Sequence, residues 1–256
     1  MELFVRKNSI VREIWGNSDM ILFIFAGAAA EFALNKAVDW LYFTGKLPSD
    51  PIGRLFSTVN YARLIVFSEK SKTFQVIDQM ADIHKKVEEK RGMSIPEWAY
   101  RDVLFMLIGY SISSYELLHR KLTNEEKEEI FNVFNSVGRR MKIKGLPDTF
   151  PEWLVMRVKQ MSANLAVSPY TKDLFKQYKK QLGIIRYHLL KEAQILVMPE
   201  KVKIMLKFRN RSLLSPVVPL YKIFSTINLD WILKNLLLPK KYKLQIKELD
   251  RPLQSY

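Results

Sequence analysis

Cysteine is absent from the 256-residue chain, and histidine is scarce. The absence of cysteine excludes disulfides, thiolate metal sites and cysteine nucleophiles, and it is typical of a reducing compartment such as the cytoplasm. Any imidazole chemistry must use His84, His119 or His188. Glycine-rich phosphate loops, serine elbows and paired-carboxylate signatures are also missing, so the sequence carries none of these common signs of catalysis.

No apolar run has the length of a membrane-spanning helix. The most hydrophobic one, residues 20–30, ends at Glu31 after 11 residues, whereas a spanning helix needs roughly 20. The N-terminus also lacks the charge, apolar run and cleavage site of a secretory signal. We therefore expect a buried core helix at 20–30 and a cytoplasmic location, with peripheral contact to a membrane left open.

Acidic residues are few relative to basic ones, with 26 Asp and Glu against 41 Lys and Arg, a net charge of +15. Residues 200–256 alone carry 12 basic and four acidic side chains. Such a bias favours anionic partners, although solubility explains it equally well. The aromatic residues Tyr221, Phe224, Trp231 and Tyr242 lie among these lysines, a mixture that suits nucleic acid and a peripheral membrane contact equally. We predict no specific nucleic-acid partner.

Helix signals dominate the chain, and the predicted fold class is all-α. We expect one multi-helix bundle at residues 1–209, with a basic, apolar C-terminal extension at 210–256 packed on the same domain. Only residues 242–249 approach the alternation of a strand, and they are interpreted as either a short strand or an irregular tail. Caps, prolines and glycines predict helices over 18–42, 51–67, 73–91, 96–121 and 151–165. Another helix is predicted to start after a capping box of Thr123 and Glu126. A basic helix is predicted to end at Gly183, after which the chain continues as helix to about residue 208, with Pro199 as a kink or a restart.

His84 is the histidine best placed to bind a ligand. Its spacing from Ile77, Met80 and Val87 places it on the apolar face of its helix. A neutral imidazole with one nitrogen free suits axial ligation of haem iron, whereas the alternative is a core histidine satisfied by a backbone carbonyl. Glu88 lies one turn away, but one histidine and one glutamate are too few ligands to indicate a zinc site.

The other two histidines have simpler explanations. His119 lies near a helix end, where we expect it to form a C-terminal cap. His188 is expected to pack against its neighbours or to lie on the surface.

Two polar residues, Arg54 and Thr58, lie one turn apart on a largely apolar helix. A buried guanidinium needs an acceptor, because an unpaired one is strongly disfavoured. One explanation is a salt bridge to Glu31 or Asp39, with Thr58 bonded to its own helix. The other is a pocket in which Arg54 and Thr58 hold a polar ligand, such as bound dioxygen or a haem propionate.

Three motifs with these residues follow one another in a fixed order. They are Trp15 with Asp19, then Asp50-Pro51 with Arg54 and Thr58, then His84 with Val87. Their order and spacing, over roughly residues 10–200, resemble the family of haem-dependent oxygenases. This family includes the rubber oxygenase, latex-clearing protein, and the fungal ER-bound oxygenase of mycophenolic acid biosynthesis.

The resemblance implies an all-α fold around one haem b, with His84 as the proximal axial ligand of the iron. It implies that Arg54 and Thr58 bind the cofactor and act in catalysis near the distal side, where dioxygen binds. The chain departs from the family at four places, which are Ser57 and Glu88 in place of Lys and Arg of the rubber oxygenase, Leu34-Asn35 in place of a frequent His-Pro, and Glu89 in place of a frequent Gly. Polyisoprene cleavage is therefore not part of what the resemblance implies.

The function implied by the resemblance is that of an oxidoreductase, a haem-b-dependent oxygenase that uses dioxygen on a hydrophobic, unsaturated or isoprenoid-like substrate. The alternative is a non-catalytic helical protein that keeps the fold and binds an apolar ligand or a membrane. The sequence does not indicate the substrate, the electron donor or the oligomeric state.

Overall fold

The structure is a computed structural model that describes residues 2–45 and 49–226. Within these residues the secondary structure is helical, with isolated β-bridges only, so the predicted all-α fold class is confirmed. The helices with described bounds are α1 (Ile10–Trp15), α2 (Ser18–Phe32), α3 (Val38–Phe43), α4 (Pro51–Phe67), α5 (Lys70–Arg91), α6 (Glu97–Leu118), α7 (Asn124–Arg140), α8 (Phe150–Asn164), α9 (Pro169–Val197), α10 (Glu200–Leu206) and α11 (Val217–Thr226).

Helices α2 and α6 form the centre of the bundle. The apolar run of α2 is buried, as predicted, with Ile21 and Ile24 in the core. Gly27 permits the close approach of the two helices, because a Cβ at this position would lie 2.2 Å from the Tyr110 ring. The main core continues from this pair to α4, α7 and α8, and burial of this apolar surface is the dominant favourable contribution to folding.

The helix predicted over 18–42 is interrupted between α2 and α3. The backbone there pairs with the segment that follows α8: the Lys36 N–H donates to the Asn164 carbonyl (2.9 Å), and the Leu34 carbonyl accepts from Ala166 (2.8 Å). These long-range bonds satisfy backbone groups that an uninterrupted helix would have bonded internally. Local sequence contains no sign of them, so the prediction of one continuous helix was wrong here.

Helix α4 has the bounds that the sequence predicted. The Asp50 carboxylate caps it by accepting from the Gly53 N–H at 3.0 Å, and Pro51 occupies the first turn, where its missing N–H is not needed. A Cβ at Gly53 would lie 2.1 Å from an Asp50 oxygen, so glycine leaves room for this cap. The cap places Arg54 in the first turn of α4.

The other helix signals also hold, with small shifts at the ends. Helix α5 begins at Lys70, three residues before the prediction, and ends at Gly92, which has a φ of +70°. The capping box of Thr123 and Glu126 is present at the start of α7. Helix α9 is kinked at Gly183, with φ +74° and ψ 173°, a conformation that is essentially confined to glycine.

The described part of the C-terminal extension bonds to the rest of the bundle. Ser212 and Leu213 donate to the Glu192 carboxylate at 2.9 and 2.7 Å, and Tyr221 donates to Asp19. The division of the chain at residue 210 stays a prediction. The short strand or irregular tail at 242–249 lies outside the described residues, as do two of the aromatic residues noted in this region, Trp231 and Tyr242.

Among the described residues, no helix combines the length and the apolar character needed to cross a bilayer.

Candidate functional site

His84 lies on α5, and its ring is half-buried. Its Nδ1 atom is 2.7 Å from the Met80 carbonyl oxygen, one turn earlier. A carbonyl only accepts hydrogen bonds, so this contact requires a proton on Nδ1, and in a neutral ring Nε2 then carries the free lone pair. The backbone of α5 therefore fixes the tautomer that exposes Nε2 as a ligand atom.

Three neighbours tune the charge of this imidazole. The pKa of His84 lies below its ordinary value, chiefly because burial disfavours the imidazolium, and the positive charge of Arg54 lowers it further. The Met80 carbonyl and the Glu88 carboxylate act in the opposite direction without reversing the shift. The result is a ring that is neutral near pH 7, as a metal ligand must be.

Tyr100 of α6 closes one side of the His84 ring, with the ring centroids 5.3 Å apart in an edge-to-face arrangement. The Tyr100 hydroxyl donates to Glu88 at 3.2 Å, and the same carboxylate oxygen accepts from the Ile95 N–H at 2.7 Å. Burial raises the pKa of Tyr100, so the phenol keeps its proton. Sequence reasoning did not single out Tyr100, whose contact with His84 joins two different helices.

A cavity of about 260 Å³ opens beside these side chains. Its walls come from α5, from α6 and from the turn that follows α7, and they include His84, Glu88, Tyr100, Met141 and Ile143.

Arg54 is half-buried, and neither of the salt-bridge partners considered from the sequence is bonded to it. Glu31 is paired with Arg157 at 2.5 Å, and Asp39 is paired with Arg91 at 2.8 Å. Within residues 2–45 and 49–226, Arg54 has no carboxylate partner. Burial lowers the pKa of Arg54, and Tyr61 raises it only in part. Arg54 is close enough to His84 to lower the pKa of the imidazole, but neither Arg54 nor Thr58 lines the cavity beside His84. Its guanidinium keeps capacity for an anionic or polar ligand.

Thr58 adopts the local bond that the sequence left open as an alternative. Its hydroxyl donates to the Arg54 carbonyl at 3.3 Å, a bond of the type that Ser and Thr form within helices. The oxygen keeps acceptor capacity toward a ligand, but the hydroxyl has to rotate before it can donate to one.

The remaining motif residues have structural roles in the described part of the chain. Trp15 is fully buried and donates to the Ser111 hydroxyl at 3.2 Å. Asp19 is buried in the first turn of α2 and accepts from Tyr221. Val87 packs against a small cluster that contains Trp40. Trp15 thus joins α1 to α6, and Asp19 joins α2 to α11.

The other two histidines lie outside this arrangement. His119 is the C-cap residue of α6, as predicted, and its ring stacks on Tyr115 with centroids 5.0 Å apart. His188 is exposed on α9. The described residues contain no group of three or more His, Asp or Glu side chains arranged to hold a metal ion.

A buried polar network was missed by sequence reasoning. Glu31, which is only 1% exposed, accepts two hydrogen bonds of 2.5 Å from Arg157 and one of 2.9 Å from Tyr110. Nearby, Asp102 accepts from Asn35 at 2.8 Å and from a second asparagine, at the end of α8. The signal available in the sequence was a single carboxylate in the apolar run of α2 and a single arginine among the apolar residues of α8.

A comparison with protein-family models gives one match, to the ER-bound oxygenase mpaB/B′/Rubber oxygenase, catalytic domain, over residues 13–227. No curated protein and no solved structure matches the chain significantly. The matched range covers most of the chain and includes all three motifs, so the predicted family and the predicted enzyme class, an oxidoreductase, are confirmed. The chain belongs to the oxygenase family of the mpaB/B′ and rubber oxygenase catalytic domains.

Proposed function

We propose that this protein is a haem-b-dependent oxygenase that acts with dioxygen on a hydrophobic, unsaturated or isoprenoid-like substrate. The family assignment supports an oxygenase. The proposal adds to this the cofactor, the substrate class and the roles of the residues. In it, His84 would bind the iron of the haem, and Arg54 and Thr58 would offer polar groups to the cofactor or to dioxygen.

The observation that carries the proposal is the state of His84 beside Arg54. A bond from Nδ1 to the Met80 carbonyl leaves Nε2 free, and burial with the Arg54 charge keeps the ring neutral. Proximal histidines of haem proteins need the same two properties, since iron binds the neutral ring through one nitrogen while the other is hydrogen-bonded. The donor set therefore fits haem.

The donor set fits haem, but the cavity beside His84 is small. Its volume of about 260 Å³ lies below the roughly 300–1,000 Å³ that small-molecule and cofactor sites occupy. The proposal thus includes a displacement of α5 relative to its neighbours when a porphyrin is bound. The half-buried side chains along α5, rather than a fully packed core, would accommodate that displacement.

The residues around the site divide the work that the chain itself performs. A haem, when bound, supplies the dioxygen and one-electron chemistry. The Met80 carbonyl orients the His84 ring, and Arg54 offers guanidinium N–H donors to a polar or anionic group at the site. Thr58 contributes a hydroxyl that can turn from its helix toward the same group. Tyr100 and Glu88 hold the other side of the imidazole ring.

An absorption spectrum of the purified protein tests the proposal. We expect a Soret band in the full-length protein expressed with a haem precursor, and its loss or strong reduction in His84→Ala. His188→Ala removes an exposed histidine and serves as the matched control, which should keep the wild-type haem content.

Two results would contradict the proposal. One is a colourless, iron-free protein that copurifies with lipid, which would favour the non-catalytic alternative. The other is equal haem content in the His84→Ala and His188→Ala proteins. Circular dichroism of each variant verifies that the helical fold is intact.

Location and partners stay predictions. The family description names an ER-bound oxygenase among its members, and a cytoplasmic protein with peripheral membrane contact through residues 210–256 is compatible with that description.

A further inference from the structure

Helix α9 carries an exposed apolar tip at its kink. The chain turns at Gly183, and the next two side chains, Ile184 and Ile185, are 66% and 78% exposed. Ile185 is the most exposed large hydrophobic residue in the described part of the chain. Two adjacent isoleucines held outward by a backbone conformation that favours glycine suggest a surface that another apolar phase covers.

Four exposed lysines lie on one face of α9, just before this tip. Lys172, Lys176, Lys179 and Lys180 are exposed, and their spacing of four, seven and eight residues places them on one side of the first half of α9. Among the described residues, none of the four forms an ion pair. We call these four lysines with Ile184 and Ile185 the α9 tip surface.

Acidic residues do not balance this surface. Residues 172–191 contain six Lys and Arg and one acid, Asp173. Asp173 accepts a hydrogen bond of 2.9 Å from Tyr42 of α3, so it is engaged toward the bundle. The α9 tip surface is therefore positive along the first half of α9, where the lysines lie, and apolar at the two isoleucines that follow the kink.

We propose that the α9 tip surface contacts membranes that contain anionic phospholipids. Isoleucine side chains would enter the interfacial region of the bilayer, and the lysines would lie at the level of the headgroup phosphates. A nucleic acid would satisfy the lysines but would leave the two isoleucines in water. The combination of both features therefore favours a lipid surface over other polyanions.

The position of this surface connects it with the candidate site. Gln181, two residues before the kink, donates to the Ser49 carbonyl at 2.9 Å, and Ser49 directly precedes the N-cap of α4. A membrane bound at the α9 tip surface would lie beside the start of the helix that carries Arg54. The inference itself does not depend on the proposed function, because it uses exposure and charge alone.

Vesicle flotation of the full-length protein tests this contact. The probes are phosphatidylcholine vesicles with and without about 30% phosphatidylserine, and we expect the protein to float only with the anionic vesicles. Ile184→Ser/Ile185→Ser should weaken this binding at least about tenfold, because it removes two insertable side chains. Lys179→Gln/Lys180→Gln should weaken it by about fivefold for each lysine removed.

Matched controls come from other exposed positions of the same kinds. Val155 and Val158 of α8 are 73% and 61% exposed, and Lys86 and Lys90 of α5 are exposed as well. Val155→Ser/Val158→Ser and Lys86→Gln/Lys90→Gln should both keep wild-type flotation.

Three outcomes would overturn the inference. They are flotation of both α9 variants at the wild-type level, equal weakening in the control variants, and binding to generic DNA that falls in the lysine variant while the isoleucine variant keeps wild-type flotation. Because all substituted side chains are exposed, unchanged thermal unfolding is expected and verifies that the variants are folded.

Discussion

At the residue scale, the contact between His84 and the Met80 carbonyl fits both explanations that the sequence left open. A core histidine and an axial ligand share this bond at Nδ1 and differ at Nε2. Burial lowers the pKa of either kind of histidine, so what the proposed ligand role would use is the free Nε2 atom near the positive charge of Arg54.

Replacing Arg54 tests this electrostatic relation in the haem-free protein. In Arg54→Met, the pKa of His84 should rise toward its ordinary value of 6.5, because a nearby positive charge no longer disfavours the imidazolium. NMR titration of the three histidines measures the effect, with assignment by single substitutions. Arg6→Met, at an exposed arginine, should leave the curve of His84 unchanged, and an unchanged curve in Arg54→Met would refute the relation.

The lowered pKa also gives a pH dependence of stability. At a pH between the folded-state pKa of His84 and 6.5, the unfolded chain binds more protons at this residue than the folded one. The contribution of His84 to the free energy of unfolding is therefore fully present above 6.5 and is lost as pH falls through that window. Urea unfolding at about pH 7.5 and about pH 5.5 should show a smaller acid-induced loss in His84→Gln than in the wild type. An equal loss in both proteins would contradict the assignment.

At the element scale, the first turn of α4 determines where Arg54 and Thr58 lie. Asp50 caps the helix, Pro51 starts it, and Gly53 leaves space for the capping carboxylate. The motif that contains Arg54 is thus a helix start followed by the arginine that is proposed to act at the site. Asp50, Pro51 and Gly53 set the start of α4, and this start determines the positions of the arginine and the threonine that follow.

A double-mutant cycle between Asp50 and Gly53 tests this account. Asp50→Ala should lower the free energy of unfolding by about 1 kcal/mol, the usual value of an N-cap. Gly53→Ala alone should change it little, because its Cβ displaces the capping carboxylate while alanine gains about 0.5–1 kcal/mol over glycine in a helix. In the Asp50→Ala background, Gly53→Ala should stabilise by that gain. Urea unfolding measures all four proteins, and additive effects would disprove the contact.

At the scale of the whole molecule, the network of Glu31, Arg157 and Tyr110 joins the three helices α2, α6 and α8. Its carboxylate and guanidinium are both buried. Breaking such a pair from one side leaves a buried charge without its partner. The network therefore makes the relative placement of these helices specific, in addition to the apolar core around them.

Arg157→Met should destabilise the protein by about 3–5 kcal/mol, because Glu31 then loses its ionic partner in the core. Arg139→Met, which removes the exposed pair with Asp148, should have a much smaller effect. Chemical denaturation monitored by circular dichroism compares the two variants. A similar loss in both would show that the buried pair contributes no more than a surface pair.

The sequence by itself determined the fold class, most helix bounds and the identity of the family. Those properties are local, since caps such as Asp50 and Thr123, breakers such as Gly92, and apolar spacing along α2 act over a few residues. The candidate residues His84 and Arg54 were also visible, because a histidine on an apolar face and an arginine in an apolar helix are local exceptions to pattern.

Only the tertiary structure decided which of these residues meet. The break before α3, the Tyr100 contact with His84, the pairing of Glu31 with Arg157 and the absence of a carboxylate partner for Arg54 among the described residues all depend on helices distant in sequence. A hydrogen bond or an ion pair forms where two atoms come within about 3 Å of each other, and the spacing of residues within one helix cannot specify its neighbour. The sequence therefore identified the candidate groups, and packing determined their partners.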